Sequence, residues 1–178
     1  MLLDFTIRMM RQDDLFEELT ALLNAAYKPL ADMGLHYVAA TQNAELTAFR
    51  CSLGETFLAE IKGQVVGCIT LRKPDPTYAG KSELPEIYQR EDIVVFGQFG
   101  VAGSLQCHGI GTHLIKRVED RGRELGAREI ACDTAEGALH LIAYYEKLGF
   151  RNVAIMKWEP VNYNSVILSK VLKVIGER

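Results

Sequence analysis

Seven consecutive residues, Gln106-Cys107-His108-Gly109-Ile110-Gly111-Thr112, carry the clearest chemical signal in this 178-residue chain. They follow an apolar run, Ile93 to Val101, and open a helical pattern that ends near Gly126. Glycines permit a sharp turn and let the backbone approach a ligand closely. The first N–H groups of a helix have no intrahelical partners, and the helix dipole adds partial positive charge at the same place. Strand, glycine turn and helix start in that order make an anion cradle, and a diphosphate is its natural guest. A dinucleotide turn would need G-x-G-x-x-G after the first strand of a βαβ unit, and a nucleotide P-loop would need G-K-[ST]. The chain has neither.

The elements that must hold this cradle follow from periodicity. Asp4 to Arg8 predicts a short strand. Asp13 stands where a helix cap belongs, before an apolar face of Leu15, Phe16, Leu19, Leu22, Leu23, Ala26 and Tyr27, and Pro29 is expected to end that helix. Pro29 to Tyr37 reads as a loop, and Thr41 as the cap of a second helix through Ala44, Leu46 and Phe49. Thr56 to Ile61 and Val65 to Leu71 flank Lys62-Gly63-Gln64, a hairpin signal. Lys73 to Asp92 holds Pro74, Pro76, Gly80 and Pro85 without a clear period, so it predicts a long loop, either functional or a solvated excursion.

Ile93 to Val101 predicts a strand buried on both faces, with Gly97 and Gly100 marking a bulge or a close approach. The helix after the glycine turn carries Ile110, Leu114, Ile115, Val118 and Leu125, with Gly126 at its C-terminal cap. Glu129 to Thr134 reads as a strand, Ala138 to Leu148 as a helix closed by Gly149, and Val153 to Trp158 with Ser165 to Leu172 as a final strand pair. The order β-α-α-β-β-β-α-β-α-β-β predicts one mixed α/β domain over residues 1–178.

Composition bounds the partners. The formal net charge is −3 with no long single-sign run, which gives no basis for general nucleic-acid or membrane-surface binding. That acidity leans toward a cationic acceptor. Cys51, Cys68, Cys107 and Cys132 form no C-x-x-C pair, so neither a zinc ribbon nor a disulfide scaffold is expected, and a reducing, cytoplasmic setting is favoured. No metal is expected, and the N-terminus has no signal-peptide pattern. Exposed strands near the C-terminus allow a homodimer.

Together the motifs resemble the GNAT superfamily of N-acetyltransferases. Its Q/R-x-x-G-x-G/A signature stands here as Gln106-Cys107-His108-Gly109-Ile110-Gly111. Its late-helix L/F-Y-x-x-x-G-F pattern stands as Tyr144-Tyr145-Glu146-Lys147-Leu148-Gly149-Phe150. The stretch from Trp158-Glu159-Pro160 through Ser165 into Leu168-Ser169-Lys170 is also similar to a bacterial branch of that family. The resemblance covers about Ile93 to Leu172. The departures are Cys107 where the family often has glycine, Gly103 where it often has proline, and Ala138 where it often has asparagine.

The resemblance implies a mostly antiparallel mixed sheet with one splayed parallel strand pair and about four flanking helices. It implies acetyl-CoA as co-substrate, in the cleft between Ile93–Val101 and Glu129–Thr134. Phe99 and Val101 would meet the pantetheine arm. Gln106, Cys107, His108, Gly109, Ile110, Gly111 and Thr112 would surround the pyrophosphate, Ala138 would lie by the arm, and Lys147 would lie near a phosphate. The implied reaction is direct attack of an amine, from a small molecule or a protein, on the thioester in a ternary complex, with Tyr145 as general acid. For the base, the sequence offers Glu60, Glu91, Asp92 and Asp133 without choosing among them. His36 and Tyr37 are candidate acceptor contacts. His108 and His140 read as cofactor or surface histidines, and a covalent route through Cys107 or Cys132 lacks a His-Asp partner. The alternative reading is a silent acyl-CoA-binding regulatory module.

Overall fold

An unbroken apolar run such as Ile93-Val94-Val95-Phe96 needs cover on both faces, and all four residues are buried. The computed structural model describes residues 3–74 and 84–172. Its strands are β1 (Thr6–Met9), β2 (Glu55–Ile61), β3 (Gln64–Arg72), β4 (Ile93–Val101), β5 (Glu129–Ala135), β6 (Arg151–Met156) and β7 (Ser165–Val171). Its α-helices are α1 (Phe16–Asp32), α2 (Ala44–Ser52), α3 (Ile110–Glu124) and α4 (Leu139–Lys147). The strands form one sheet in the order β1-β2-β3-β4-β5-β7-β6. Among the described residues, β4–β5 is its parallel join and the other joins are antiparallel.

One face packs Phe57, Ile69, Val94, Phe96, Ile130 and Cys132 against Leu114, Ile115 and Val118 of α3 and Tyr145 of α4. The opposite face packs Leu58 and Cys68 against Leu19 and Leu23 of α1 and Cys51 of α2. Further along that second face, Val95, Ala131 and Ile167 pack against Tyr88. The β2–β3 hairpin turns on Lys62 and Gly63, both with positive φ, the two-residue geometry that matches strand twist.

The feature that makes a site is a break in pairing. β4 and β5 are joined at Ile93↔Glu129, Val94↔Ile130 and Val95↔Ala131, and not beyond. On its other side β4 stays paired to β3 through Val101↔Gly67, with a register shift opposite Cys68–Thr70. Gln98 lies in that shift with φ +48°. Such a bulge bends its strand and increases the local twist, which carries the second half of β4 away from β5.

A left-handed non-glycine residue costs on the order of 1–3 kcal/mol and persists only where its surroundings fix it. Here the Gln98 amide is buried. Its Oε1 accepts from Gln42 Nε2 (2.9 Å) and its Nε2 donates to the Thr47 carbonyl (3.3 Å). Gln42 also donates to Thr47 Oγ1, Thr20 donates to the same oxygen, and Arg50 donates to Gln42 Oε1 (2.7 Å). The bulge is thus tied to both α1 and α2.

Several local expectations are corrected. Asp13 caps nothing: α1 begins after Leu15 without a side-chain cap. The neighbouring Asp14 turns back to Arg8 and to the Arg11 N–H. Pro29 does not end α1 but sits inside it, one turn before Asp32, where its missing N–H costs a single bond. The second helix is capped by Asn43, whose Oδ1 accepts from Leu46 N–H, and not by Thr41. The 73–92 segment is not wholly solvated: Glu86–Gln89 makes a 3-10 turn that buries Tyr88. Its prolines and glycine at 76 and 80 lie outside the described residues. Among the described residues, no helix is long and apolar enough to cross a membrane.

Candidate active site

The glycine turn is built as its residue types dictate. Gly109 precedes α3 with φ +85° and no side chain caps the helix. The first N–H groups of α3 are therefore open to a ligand. Gly111 is needed for close approach: a Cβ there would lie 3.1 Å from the Phe99 ring and 3.2 Å from the Tyr144 hydroxyl. Cys107 has φ +64° and an exposed side chain. Ile110 is buried in the core, so only its backbone can serve the turn. Gln106 Nε2 donates to the Val101 carbonyl (3.3 Å), closing the end of β4.

A cavity of about 370 Å3 fills the gap between the parted strands. It is lined by Phe99, Gly100 and Val101 of β4, by the turn from Gln106 to Thr112, by Tyr27 and Leu30 of α1, and by His140, Leu141, Tyr144 and Tyr145 of α4. His108, Ile110, Ala138 and Lys147 are not on its surface. His108 bonds back to the Gln106 carbonyl, Ala138 packs with Leu30 and Ala135, and Lys147 is exposed at the end of α4.

Tyr145 is buried against Phe96 and Phe150. Burial holds its phenol well above the ordinary tyrosine value, so it keeps its proton through neutral pH. Among the described residues, no protein group is bonded to its hydroxyl. Tyr144 lies nearer the turn, 3.4 Å from Thr112 Oγ1.

Of the four carboxylates offered by sequence, two are committed elsewhere. Glu60 pairs with Arg8 (2.6 Å), and Asp92 pairs with Arg90 (2.9 Å); each arginine holds its partner below the ordinary carboxylate range. Glu91 is exposed, two residues before the buried start of β4. Asp133 differs. It follows Ala131, the last β5 residue joined to β4, and side chains alternate along a strand. It therefore faces the α1/α2 side of the sheet, while Cys132 faces α4. It is accessible to solvent, yet protein surrounds it closely enough to push its carboxyl up; the Ser165 hydroxyl, Arg72, Arg50 and the Trp158 indole oppose that rise.

His36 and Tyr37 line a second, more open depression of about 990 Å3, bounded by Gln42, Phe49 and Pro160. The His36 N–H donates to Asn162 Oδ1, and its ring is at the surface. Tyr37 reaches inward. Its hydroxyl accepts from the Ala135 N–H (2.8 Å) and lies 2.8 Å from Thr134 Oγ1, and its ring packs between Tyr27 and Tyr163.

Sequence reading missed Tyr27, Arg50, Arg72, Tyr88, Trp158 and Ser165, which come from six separate segments. Strand parity was the available signal. With β4 and β5 paired at Val95, the same face must also collect Arg72, Gly97 and Asp133. Among the described residues, no cluster of His, Cys, Asp and Glu is arranged to hold a metal ion.

Residues 16–150 match the family model described as the acetyltransferase (GNAT) family. The chain is 26% identical over 136 residues to the S-(2-succino)cysteine N-acetyltransferase of Bacillus subtilis, covering 75% of this chain and 77% of that protein. It is similar in fold to a GNAT family acetyltransferase from Elizabethkingia anophelis, solved with acetyl-CoA bound (TM-score 0.67, 20% identity, 94% of this chain and 98% of that one). It is also similar to the ribosomal-protein-S18-alanine N-acetyltransferase of Escherichia coli (TM-score 0.69, 14% identity, 98% of each chain).

Proposed function

The chain belongs to the GNAT acetyltransferase family, and we propose that it transfers the acetyl group of acetyl-CoA to a primary amine, with Tyr145 as acid and Asp133 as base. The observation that carries this reading is the parting of β4 and β5 after Val95 and Ala131, with the glycine turn and Tyr145 on one continuous cavity wall. The E. anophelis neighbour holds acetyl-CoA, and the B. subtilis relative is named for acetylation of nitrogen. Both support this choice of donor and of acceptor atom.

Acetyl-CoA is the co-substrate, and its thioester supplies the acyl group and a thiolate leaving group. The N–H groups from Cys107 to Thr112 suit its pyrophosphate. The free edge of β4 from Phe99 to Val101 suits its pantetheine amides, in the manner of an added strand. Asp133 Oδ accepts one proton from the incoming ammonium, leaving a nitrogen lone pair to form the C–N bond. As the C–S bond breaks, Tyr145 gives its phenolic proton to the sulfur and recovers one from the new amide nitrogen. Asp133 passes its proton to solvent, so one proton is released per turnover.

Asp133 and Tyr145 stand on opposite faces of the sheet, and Asp133 lies just past the last pair that joins β4 to β5. A raised carboxyl pKa makes Asp133 a stronger base than an ordinary aspartate, and a neutral phenol suits proton donation to a thiolate.

Release of CoA thiol across a panel of primary amines tests this reading. Tyr145→Phe should cut kcat by about 10²–10³ while leaving acetyl-CoA affinity intact. Should acetyl-CoA bind while no amine is turned over, the chain would be a silent acyl-CoA-binding module instead.

A further inference from the structure

Three tyrosines face the donor cavity: Tyr27, Tyr144 and Tyr145. Tyr144 lies against Thr112 at the glycine turn, and Tyr145 serves the sulfur. We propose that Tyr27 of α1 is a further catalytic residue, whose hydroxyl donates to the acetyl carbonyl oxygen and stabilises the negative charge that develops there. The reaction is taken from the acetyltransferase reading, whereas the contact itself rests on the cavity wall.

α1 settles directly on the part of β4 that has left β5. A Cβ built on Gly100 would lie 3.3 Å from Ala26 Cβ and 3.2 Å from Leu23 Cδ2. The bare backbone of Gly100 admits the helix, and the residue after Ala26 is brought to the wall that holds Phe99, Gly100, Val101 and Tyr145. The Tyr27 ring is fixed there. It packs with the α1/α2 core around Leu23 and Cys68, and with Leu30, Ala135 and Ala138. Tyr37 lies against it, with ring centroids 5.2 Å apart.

The ring contacts leave the hydroxyl over. Among the described residues, no protein group is hydrogen-bonded to it, although a tyrosine O–H enclosed by protein usually finds a partner. Those surroundings hold the phenol well above its ordinary value, so it keeps its proton and stands ready to donate. Tyr27 and Tyr37 both lie within electrostatic reach of Tyr145 on one side and of Asp133 on the other. The Tyr37 hydroxyl is already bonded to Thr134 and Ala135 of β5. Tyr27 is thus the unbonded phenol set between acid and base.

Acyl transfer makes three demands. Nitrogen must lose a proton, sulfur must gain one, and the carbonyl oxygen must carry charge between those events. Asp133 and Tyr145 meet the first two, and the free edge of β4 is given over to the pantetheine arm. As the nitrogen lone pair adds to the carbonyl carbon, the C=O π pair moves onto oxygen, where the Tyr27 hydrogen bond strengthens. The pair returns as the C–S bond breaks. The Tyr27 O–H bond stays intact throughout, so the proton balance of the turnover is unchanged.

Infrared spectra of the protein bound to acetyl-CoA, labelled with carbon-13 at the acetyl carbonyl, test the contact with no acceptor present. A hydrogen bond lowers the carbonyl stretch, so Tyr27→Phe should move the labelled band to higher frequency, while Tyr145→Phe should leave it in place. With an amine that is acetylated, Tyr27→Phe should cut kcat by about 10²–10³-fold and keep acetyl-CoA affinity and acceptor KM within about twofold of the parent. An unmoved band in Tyr27→Phe, an equal move in Tyr145→Phe, or a loss confined to acetyl-CoA affinity or to acceptor KM would overturn the inference. A band that moves as expected in a protein that acetylates no amine would uphold the contact and sink the acetyltransferase reading alone.

Discussion

The two sides of the parted strands are built from different materials. The donor side is backbone: one contiguous turn, a helix start and the free edge of a strand, with Gly109 and Gly111 chosen for what they lack. The acceptor side is side chain: Asp133, Arg72, Arg50, Trp158 and Ser165, gathered from five segments by the sheet and α2. Backbone donors recognise what every acyl-CoA shares, so they can be written in a short motif. Side chains recognise what distinguishes one amine from another, and their grouping exists only once the chain has folded.

The largest expected effect breaks the donor side. Gly111→Val would drive a branched side chain into Phe99 and Tyr144. Loss of two charge-assisted bonds at the turn should weaken acetyl-CoA binding by about 10³-fold by calorimetry. The change in Trp158 fluorescence on binding the acceptor should survive, because the residues around Asp133 share no wall with the turn. A variant that lost both would mean the two sides are not independent.

The next effect sharpens the acceptor side through pH. Asp133 serves as base only when ionised, and its carboxyl is raised by the protein packed closely around it. The rate should therefore climb with pH through a limb lying above the ordinary carboxylate range near ~4. The groups facing it are Arg72 on β3, Arg50 on α2, Ser165 on β7, and Trp158, Tyr37, Tyr88 and Tyr163 from the intervening segments. Asp133→Asn should remove that limb, whereas Arg72→Gln should move it upward by removing a favourable charge.

A smaller effect concerns the bulge that divides the two sides. Gln98→Leu removes the partners of Gln42 and Thr47 in a buried network. It should cost about 2 kcal/mol and lower the thermal midpoint by roughly 4–8 °C. It should also raise the KM for acetyl-CoA, since β4 would be free to straighten. An unchanged KM would show that the bulge stands without its side-chain ties.

The smallest effect lies far from the cleft. Arg8 pairs with Asp14 and Glu60 (2.6 Å each) and holds both carboxyls below their ordinary range. Their folded pKa values are depressed, so their contribution is complete above the unfolded values near ~4 and is lost as pH falls through the folded ones. Arg8→Met should lower stability by about 1 kcal/mol at neutral pH. The gap to the parent should close in acid denaturation, with no change in either ligand affinity.

The same contrast explains what could be read from sequence. The element order, the interrupted β4 and the glycine turn were legible because each depends on neighbours in the chain. Helix starts were misjudged by a few residues: α1 begins after Leu15 without a cap from Asp13, and Asn43 displaces Thr41 as the cap of α2. Pro29 looked like a terminator because only tertiary contacts reveal that α1 gains another turn. Asp133 stood among four equal carboxylates until the ion pairs of Glu60 and Asp92 and the surroundings that raise its own carboxyl set it apart. Trp158 was expected as the last residue of β6, which ends at Met156, and lies instead in the connection beside Asp133.

The central claim is that donor binding and proton removal are separable, the one in the backbone of the turn and the other at Asp133. Asp133→Asn measured twice in one preparation tests it most directly: acetyl-CoA affinity by calorimetry and acetyl transfer to the acceptor in a single turnover. The account predicts affinity within about twofold of the parent and transfer slowed by about 100-fold. Transfer at the parental rate, or affinity falling in step with it, would contradict the account.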